Sequence, residues 1–276
     1  MSRAGAGACF ERLDAARETL SGARLAFVGG QGKSGTTWVE RLIDAHPDAA
    51  CLGEGHFAAG LGRGLYAALE DYNRLVAANN ASFPELEDFP GMDADAMAEL
   101  VRAALVMQFA RIAQRNARAR LVAVRTPSEL DWLRQLAMLV PGAVFVHAVR
   151  DPRDVAVSLW FHGERLSPGS MTREHGTPAR LATRLVPGWA RHVLNVRQAA
   201  AECGAHVHEV RYERLIREGP AEAAALFEAL GLDAPLPASR RRWRRVVSRS
   251  SVAEGSPGNR TPLRTSAAAR PGNGPR

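Results

Sequence analysis

The sequence predicts an α/β protein built on a parallel central sheet flanked by helices, and three observations carry that reading. Short apolar runs alternate with longer stretches of helical spacing, the order that buries a parallel sheet between two helical layers. A glycine-rich break, Gly29–Gly35, falls between an apolar run and the helical pattern that follows it. The 276 residues, 46% hydrophobic and 24% charged, suffice for one such domain and are too apolar for a disordered chain.

Taken in order, residues 10–20 have the spacing of a short amphipathic helix, and Leu25-Ala-Phe-Val28 is short enough for a buried strand. Gly29-Gly-Gln-Gly-Lys-Ser-Gly35 can continue neither strand nor helix. Helical spacing resumes at Thr36-Thr-Trp-Val-Glu-Arg-Leu-Ile43, until His46-Pro47 stops it. Segments 62–80 and 93–117 are helical by pattern, separated by a loop over 83–92 that holds proline and acids, and together they form a helical insertion. Leu121–Val124 and Ala143–Val149 are strand-like with a helix over 129–139 between them; a helix around 178–202 leads to a last strand, His206–Arg211. After Pro235 the character changes. Arg240-Arg-Arg-Trp-Arg-Arg245 reads as a basic helix, and 253–276 is Gly, Pro, Ser, Ala and Arg with almost nothing to bury, so residues 1–252 are expected to form the domain and 253–276 a disordered tail.

The formal net charge of +7 would suit a nucleic-acid binder if it were spread over the domain. It is not. Ten of the 36 basic residues lie from Arg240 onward against one of the 29 acids, which leaves the first 239 residues with 26 basic and 28 acidic side chains. No apolar run reaches the roughly 18–20 residues of a membrane helix, and Met-Ser-Arg-Ala-Gly at the N-terminus lacks the apolar stretch of a secretory signal, so a soluble cytoplasmic protein is expected. The three cysteines, Cys9, Cys51 and Cys203, give neither a disulfide framework nor a metal knuckle and read as reduced structural thiols. His162, His175, His192, His206 and His208 show no metal spacing, and His147, inside a strand, reads as buried structure.

Of the 36 basic residues, only Lys33 is lysine. Where a generic positive charge suffices this chain uses arginine; an ammonium is a compact point charge on a flexible stem, which a cramped anion site can require where it would reject a planar guanidinium. The neighbours of Lys33 support such a site. Gly32-Lys33-Ser34-Gly35-Thr36-Thr37 follows a strand and opens a helix, so backbone N–H groups, the positive end of the helix, the ammonium and the hydroxyls converge on one anion. The phosphate loop of nucleotide triphosphatases would need glycine five residues before Gly32, where Phe27 stands.

Lys33-Ser-Gly-Thr-Thr-Trp38 resembles the 5′-phosphosulfate loop of the sulfotransferases that use 3′-phosphoadenosine 5′-phosphosulfate, with Gly32 in place of the family's proline. The likeness continues through Leu42-Ile-Asp-Ala-His-Pro47 to Gly53-Glu-Gly-His-Phe57. Phe145-Val-His-Ala-Val-Arg-Asp-Pro-Arg-Asp-Val-Ala-Val-Ser158 resembles the family's 3′-phosphate site, in which a strand ends in Arg and a Ser follows eight residues later; Arg150 and Ser158 take those places, while Asp151, Arg153 and Asp154 read as caps and braces of the turn. Val210-Arg-Tyr-Glu-Arg-Leu-Ile216 resembles the family's Tyr-Glu-Asp-Leu segment, which makes Tyr212 a neighbour of the nucleotide. The resemblance covers about residues 24–232 and implies a nucleotide-hydrolase-like sulfotransferase fold with the donor held by Gly32, Lys33, Ser34, Gly35, Thr36, Thr37, Trp38, Arg150, Ser158 and Tyr212, and no metal. It does not extend to the family's C-terminal lid, since Gly255-Ser-Pro-Gly258 lacks the basic pair and the Trp; Arg249 or Arg260 stands near enough in sequence to substitute.

Sulfuryl transfer needs an anchored donor, stabilisation of charge on the leaving phosphate oxygen and a base for the acceptor. Lys33 suits the second task. For the third, Glu54 and His56 lie in a glycine-rich turn expected to open near the phosphosulfate; Glu54, in the neighbourhood where the resemblance to the tyrosylprotein branch implies a Glu, is the preferred base, and His56 beside it is the second candidate. Arg125 stands where that branch has a functional Lys, as a charge stabiliser or a structural pair. The acceptor, a hydroxyl or an amine, is not specified, and neither is the oligomeric state. Two other readings remain: an ATP-dependent small-molecule kinase with a variant phosphate loop, and a non-enzymatic binder of anionic polymers through Arg240–Arg245, whose binding would fall steeply with salt.

Overall fold

The computed structural model describes residues 4–233, with side chains from residue 11 onward. The expected basic helix over 240–245, the Gly255–Gly258 segment and the tail over 253–276 lie outside the described residues. The chain runs through α1 (Ala4–Thr19), β1 (Arg24–Gly30), α2 (Thr36–Asp44), β2 (Ala49–Gly53), a π-helical turn (Phe57–Gly62), α3 (Arg63–Ser82), α4 (Ala94–Ala113) and β3 (Leu121–Arg125). It continues through a 3-10 turn (Pro127–Trp132), α5 (Leu133–Leu139), β4 (Val144–Val149), α6 (Pro152–Leu166), α7 (Ser170–His175), α8 (Pro178–Cys203), β5 (His206–Arg211), α9 (Tyr212–Arg217) and α10 (Gly219–Ala229).

The five strands pair in the order β2-β3-β1-β4-β5, all parallel. The alternation of side chains along a strand divides the core in two. Ala26 and Val28 of β1 with Val144, Val146 and Ala148 of β4 face α2 and α10, while Phe27, Val122, Val124 and Phe145 face α4, α5 and α8. Phe27 centres the second layer, stacked on Phe145 at 5.6 Å and edge-on to Phe109 at 5.4 Å. Its side chain is fully buried, and truncation to alanine would cost about 3–5 kcal/mol.

Three elements differ from the sequence reading. Ala49–Gly53 is an edge strand that its five residues, three of them small, did not announce. The helix expected over 129–139 is a 3-10 turn followed by a short α-helix, because Trp132 leaves helical geometry at φ −110 and ψ 24. The helix expected to reach 117 stops at Ala113, and Asn116 turns back so that its amide donates to the carbonyls of Pro47 and Ala49. The helical insertion is present as the π turn, α3 and α4. Among α3 residues Leu69 alone is buried, and the loop over 83–92 is strapped along that helix by Asn73 and Asn80, whose side chains exchange hydrogen bonds with the backbones of Met92 and Phe89.

Topology decides where a ligand can sit. After β1 the chain crosses toward β2 on one side; after β4 it crosses toward β5 on the other. The chain therefore leaves the C-terminal ends of these adjacent strands in opposite directions, and open α/β sheets bind ligands at that switch point. The glycine loop leaves β1 there, and Arg150 leaves β4.

Candidate active site

The loop after β1 is shaped by two left-handed residues on either side of Ser34, namely Lys33 at φ 72 and Gly35 at φ 91. Gly35 is also the N-cap of α2 and supplies no side chain to its first N–H groups, so the positive end of the helix is left for an anion. A side chain at this position is excluded twice, by the backbone angle and by the ring of Tyr212, whose Cδ2 would lie 2.4 Å from an added Cβ. Ser34 is 1% exposed, and its hydroxyl has no hydrogen-bond partner. Buried hydroxyls without partners are uncommon, and one inside a phosphate-type loop suits an oxygen of a bound anion.

Arg150 joins this loop from the neighbouring strand. Its Nη1 donates to the carbonyl of Lys33 at 3.0 Å, its guanidinium lies 4.3 Å from the centre of the Tyr212 ring, and its buried Nε has no partner. Tyr212 in turn meets Trp38 edge-on at 5.6 Å. Asp151 caps α6 through the Arg153 N–H, and the Arg153 guanidinium beside it holds its carboxyl down at about 2; its own N–H donates to Glu213 at 2.8 Å. The bracing read for this turn is thus present. Ser158 lies half-buried on the second turn of α6. Gly32, Thr36, Thr37 and Trp38 complete the loop and the first turn of α2, with Thr36 and Trp38 buried.

A second cluster stands at the ends of β2 and β3. Arg125 donates through Nε to Glu40 at 2.7 Å and through Nη1 to Glu54 at 2.5 Å, and the other oxygen of Glu54 lies 3.3 Å from Nε2 of His56. Burial opposes the charge on Arg125, but Glu40 and Glu54 outweigh it and hold the guanidinium charged. Gly53 is required here, since a Cβ on it would lie 2.5 Å from the guanidinium. Glu40 also accepts the Gly53 N–H at 3.1 Å, and it sits on α2 one turn beyond Thr36, so the same helix carries the anion loop and braces this cluster.

The structure therefore brings Glu54, His56 and Arg125 together, and brings Lys33, Ser34, Gly35, Trp38, Arg150 and Tyr212 together. Three residues of the site were not found by sequence reasoning: Glu40, Thr126, whose Oγ1 accepts the His56 N–H at 3.1 Å, and Glu129, whose carboxylate accepts the Ala58 N–H at 2.6 Å. Glu40 had a signal, being four residues after Thr36 on one helical face. Cys51 lies nearby, 1% exposed, its thiol pushed well up by burial and by the charges of Glu40 and Asp44, which fits a structural rather than a reactive role. Among the described residues no helix is long and apolar enough to cross a membrane, and no group of three or more His, Cys, Asp or Glu is arranged to hold a metal ion.

Against known proteins, the model of a sulfotransferase family matches residues 26–235, most of the chain. The chain belongs to that sulfotransferase family. It is an enzyme of sulfuryl transfer, and its parallel sheet flanked by helices is the family's fold. Among solved structures it is similar to sulfotransferase STF1 from Mycobacterium tuberculosis, at 17% identity over 88% of this chain and 78% of that one, with a TM-score of 0.48. It is similar to a sulfotransferase from Alicyclobacillus acidocaldarius, at 17% identity over 84% and 93% with a TM-score of 0.49. A mouse sulfotransferase, SULT7A1, complexed with PAP, shares 18% identity over 84% of this chain and 65% of that one, with a TM-score of 0.43. No curated protein is matched by the sequence.

Proposed function

We propose that this sulfotransferase moves the sulfuryl group of 3′-phosphoadenosine 5′-phosphosulfate to a hydroxyl or amine by in-line transfer. The observation that carries the reading is a pair of buried polar atoms without partners, Ser34 Oγ in the loop after β1 and Arg150 Nε just past the end of the adjacent β4. Both are donors, both are buried, and each belongs to a segment whose other groups suit an anion. Two adjoining donor sets of this kind suit a nucleotide that carries two anionic groups.

In this reading Gly32, Lys33, Ser34, Gly35, Thr36, Thr37 and Trp38 hold the phosphosulfate end, and Arg150, Ser158 and Tyr212 hold the other phosphate. Lys33 stabilises the charge that grows on the bridging phosphate oxygen as its bond to sulfur breaks. The new sulfur–oxygen or sulfur–nitrogen bond forms to the acceptor, whose proton passes to a base. Glu54 and His56 are the candidates, and their contacts favour His56 as the proton acceptor. Each oxygen of Glu54 already holds a partner, Arg125 on one side and His56 on the other. A carboxylate so held orients the imidazole and stabilises it once protonated, the division of labour of a carboxylate–histidine pair. Arg125, which bonds Glu40 and Glu54, acts by holding that carboxylate in place.

The test is direct. Adenosine 3′,5′-bisphosphate, the other product, should raise the melting temperature more than ATP with magnesium, since ligand at about 100 times its Kd adds about 2.7 kcal/mol to the folded state. Transfer of label from sulfur-labelled donor to a panel of phenols, alcohols and amines should disappear in Lys33→Ala. Equal or greater stabilisation by ATP would point to phosphoryl transfer instead.

A further inference from the structure

Glu129 is a buried acid that the chemistry above does not use. It stands in the 3-10 turn after β3, is 1% exposed, and reaches across to the segment that carries His56. Its Oε1 accepts the N–H of Ala58 at 2.6 Å, the Phe57 N–H also points at the carboxylate, and Thr126 Oγ1 accepts the N–H of His56 at 3.1 Å. These are consecutive N–H groups at the start of the π-helical turn, which have no partner within the turn itself. His56, at φ 48, is in left-handed geometry that a residue with a Cβ adopts only when its surroundings impose it. The surroundings here are Thr126 and Glu129. They hold the backbone on both sides of the ring while Glu54 holds the ring itself.

We propose that Glu129 is the positioning residue of the His56 general base: together with Thr126 it fixes the turn that presents the ring. The groups that meet Glu129 are donors, the N–H groups of Ala58 and Phe57 and the hydroxyl of Thr126, which an acceptor-only carboxylate suits and an amide would satisfy less well. Burial raises the Glu129 carboxyl above the ordinary range, whereas these donors and the charge of His56 pull it back. The charged groups facing His56 are Glu54 on its own turn and Glu129 from the 3-10 turn, with Arg125 from β3 and Glu40 from α2 behind Glu54.

This inference rests on His56 as the base, and its test separates the two. In the full-length protein, carbon-13 carboxyl titration should show Glu129 moving to higher pH in His56→Gln, a readout that needs no turnover. Glu129→Gln should bind adenosine 3′,5′-bisphosphate within twofold of wild type and lose about tenfold in kcat with the donor KM within twofold, because the turn no longer presents the ring. Glu129→Asp, which keeps the acceptor oxygens on a shorter stem, should recover part of that kcat. A Glu129 titration unchanged by His56→Gln would overturn the coupling of the carboxylate to the ring, and a Glu129→Gln variant with wild-type kcat would overturn the positioning role. Coupling present in a protein whose His56→Gln variant still turns over normally would refute the choice of base instead.

Discussion

Arg150 reaches from the end of β4 to the carbonyl of Lys33, 3.0 Å away, while its guanidinium plane packs 4.3 Å from the Tyr212 ring centre. One side chain thus joins the two segments that leave β1 and β4 in opposite directions, and it does so with a fork and a flat face that lysine lacks. Arg150→Lys keeps the charge and loses both contacts. Affinity for adenosine 3′,5′-bisphosphate is expected to fall tenfold or more by calorimetric titration, with little change in the melting temperature of the ligand-free protein. An affinity within twofold of wild type would remove Arg150 from the nucleotide site.

Lys33 combines a left-handed backbone with the one ammonium side chain in the chain. The left-handed conformation costs a residue with a Cβ roughly 1–2 kcal/mol, which glycine avoids, while glycine adds about 0.5–1 kcal/mol of unfolded-state entropy. The two effects nearly cancel, so Lys33→Gly should stay within about 1 kcal/mol of wild-type stability in urea melts while transfer falls by at least tenfold. Lys33→Arg should fail almost as badly in transfer, because the broad guanidinium cannot follow a single oxygen. Near-normal turnover of either variant would count against the assigned role.

What the sequence made legible were the elements whose chemistry is local. Gly29–Gly35 between a strand and a helix, Arg150 at a strand end and Asp151 as a cap each follow from neighbours a few residues away. The network around Arg125 was only half legible: Glu54, His56 and Arg125 were singled out separately, but Arg125 meets Glu54 across 71 residues and Glu40 across 85, and the contacts depend on β2 pairing with β3 in a register that sets Gly53 against Arg125. Since β2 itself went unread, that register was out of reach. Glu129 was hidden differently. At the start of the helix expected over 129–139 nothing in its neighbours distinguishes it from a solvent-facing acid, and only the fold turns it inward to the Ala58 N–H.

Gly35 leaves no room for a side chain. An alanine there must hold φ near 91 and drive its Cβ against Tyr212, 2.4 Å away. The ring cannot retreat without releasing Trp38 and the Arg150 stack. Strain and overpacking together predict a loss of about 2–4 kcal/mol in urea unfolding of Gly35→Ala. Pairing it with Tyr212→Ala should return part of that loss, since the second truncation removes the clash and leaves the backbone strain. Strict additivity in this double-mutant cycle would show that ring and loop do not press on each other.

His147 governs how the domain responds to acid. It sits mid-strand in β4, 0% exposed, with neither ring nitrogen hydrogen-bonded, its ring 5.3 Å from that of His192 and its Nδ1 3.7 Å from Glu209, which Arg197 holds. Burial first, and then the charge of His192, push it down to about 4, against the opposing pull of Glu209 and Asp131. A depressed histidine stays neutral in the folded state while the unfolded chain takes up a proton below about pH 6.5. Its contribution is therefore intact above that pH and is lost progressively as pH falls toward about 4, on the order of 3 kcal/mol in all and roughly 2 kcal/mol by pH 5. His208, also lowered by burial, adds in the same direction, whereas Glu129, raised by burial, opposes it. Since the ring nitrogens of His147 satisfy no hydrogen bond, phenylalanine of similar shape removes the titration without orphaning a partner. His147→Phe should match wild type within about 1 kcal/mol at pH 7 and exceed it by roughly 2 kcal/mol at pH 5 in urea melts. If wild type and variant lose stability in parallel between those two pH values, the acid sensitivity resides elsewhere.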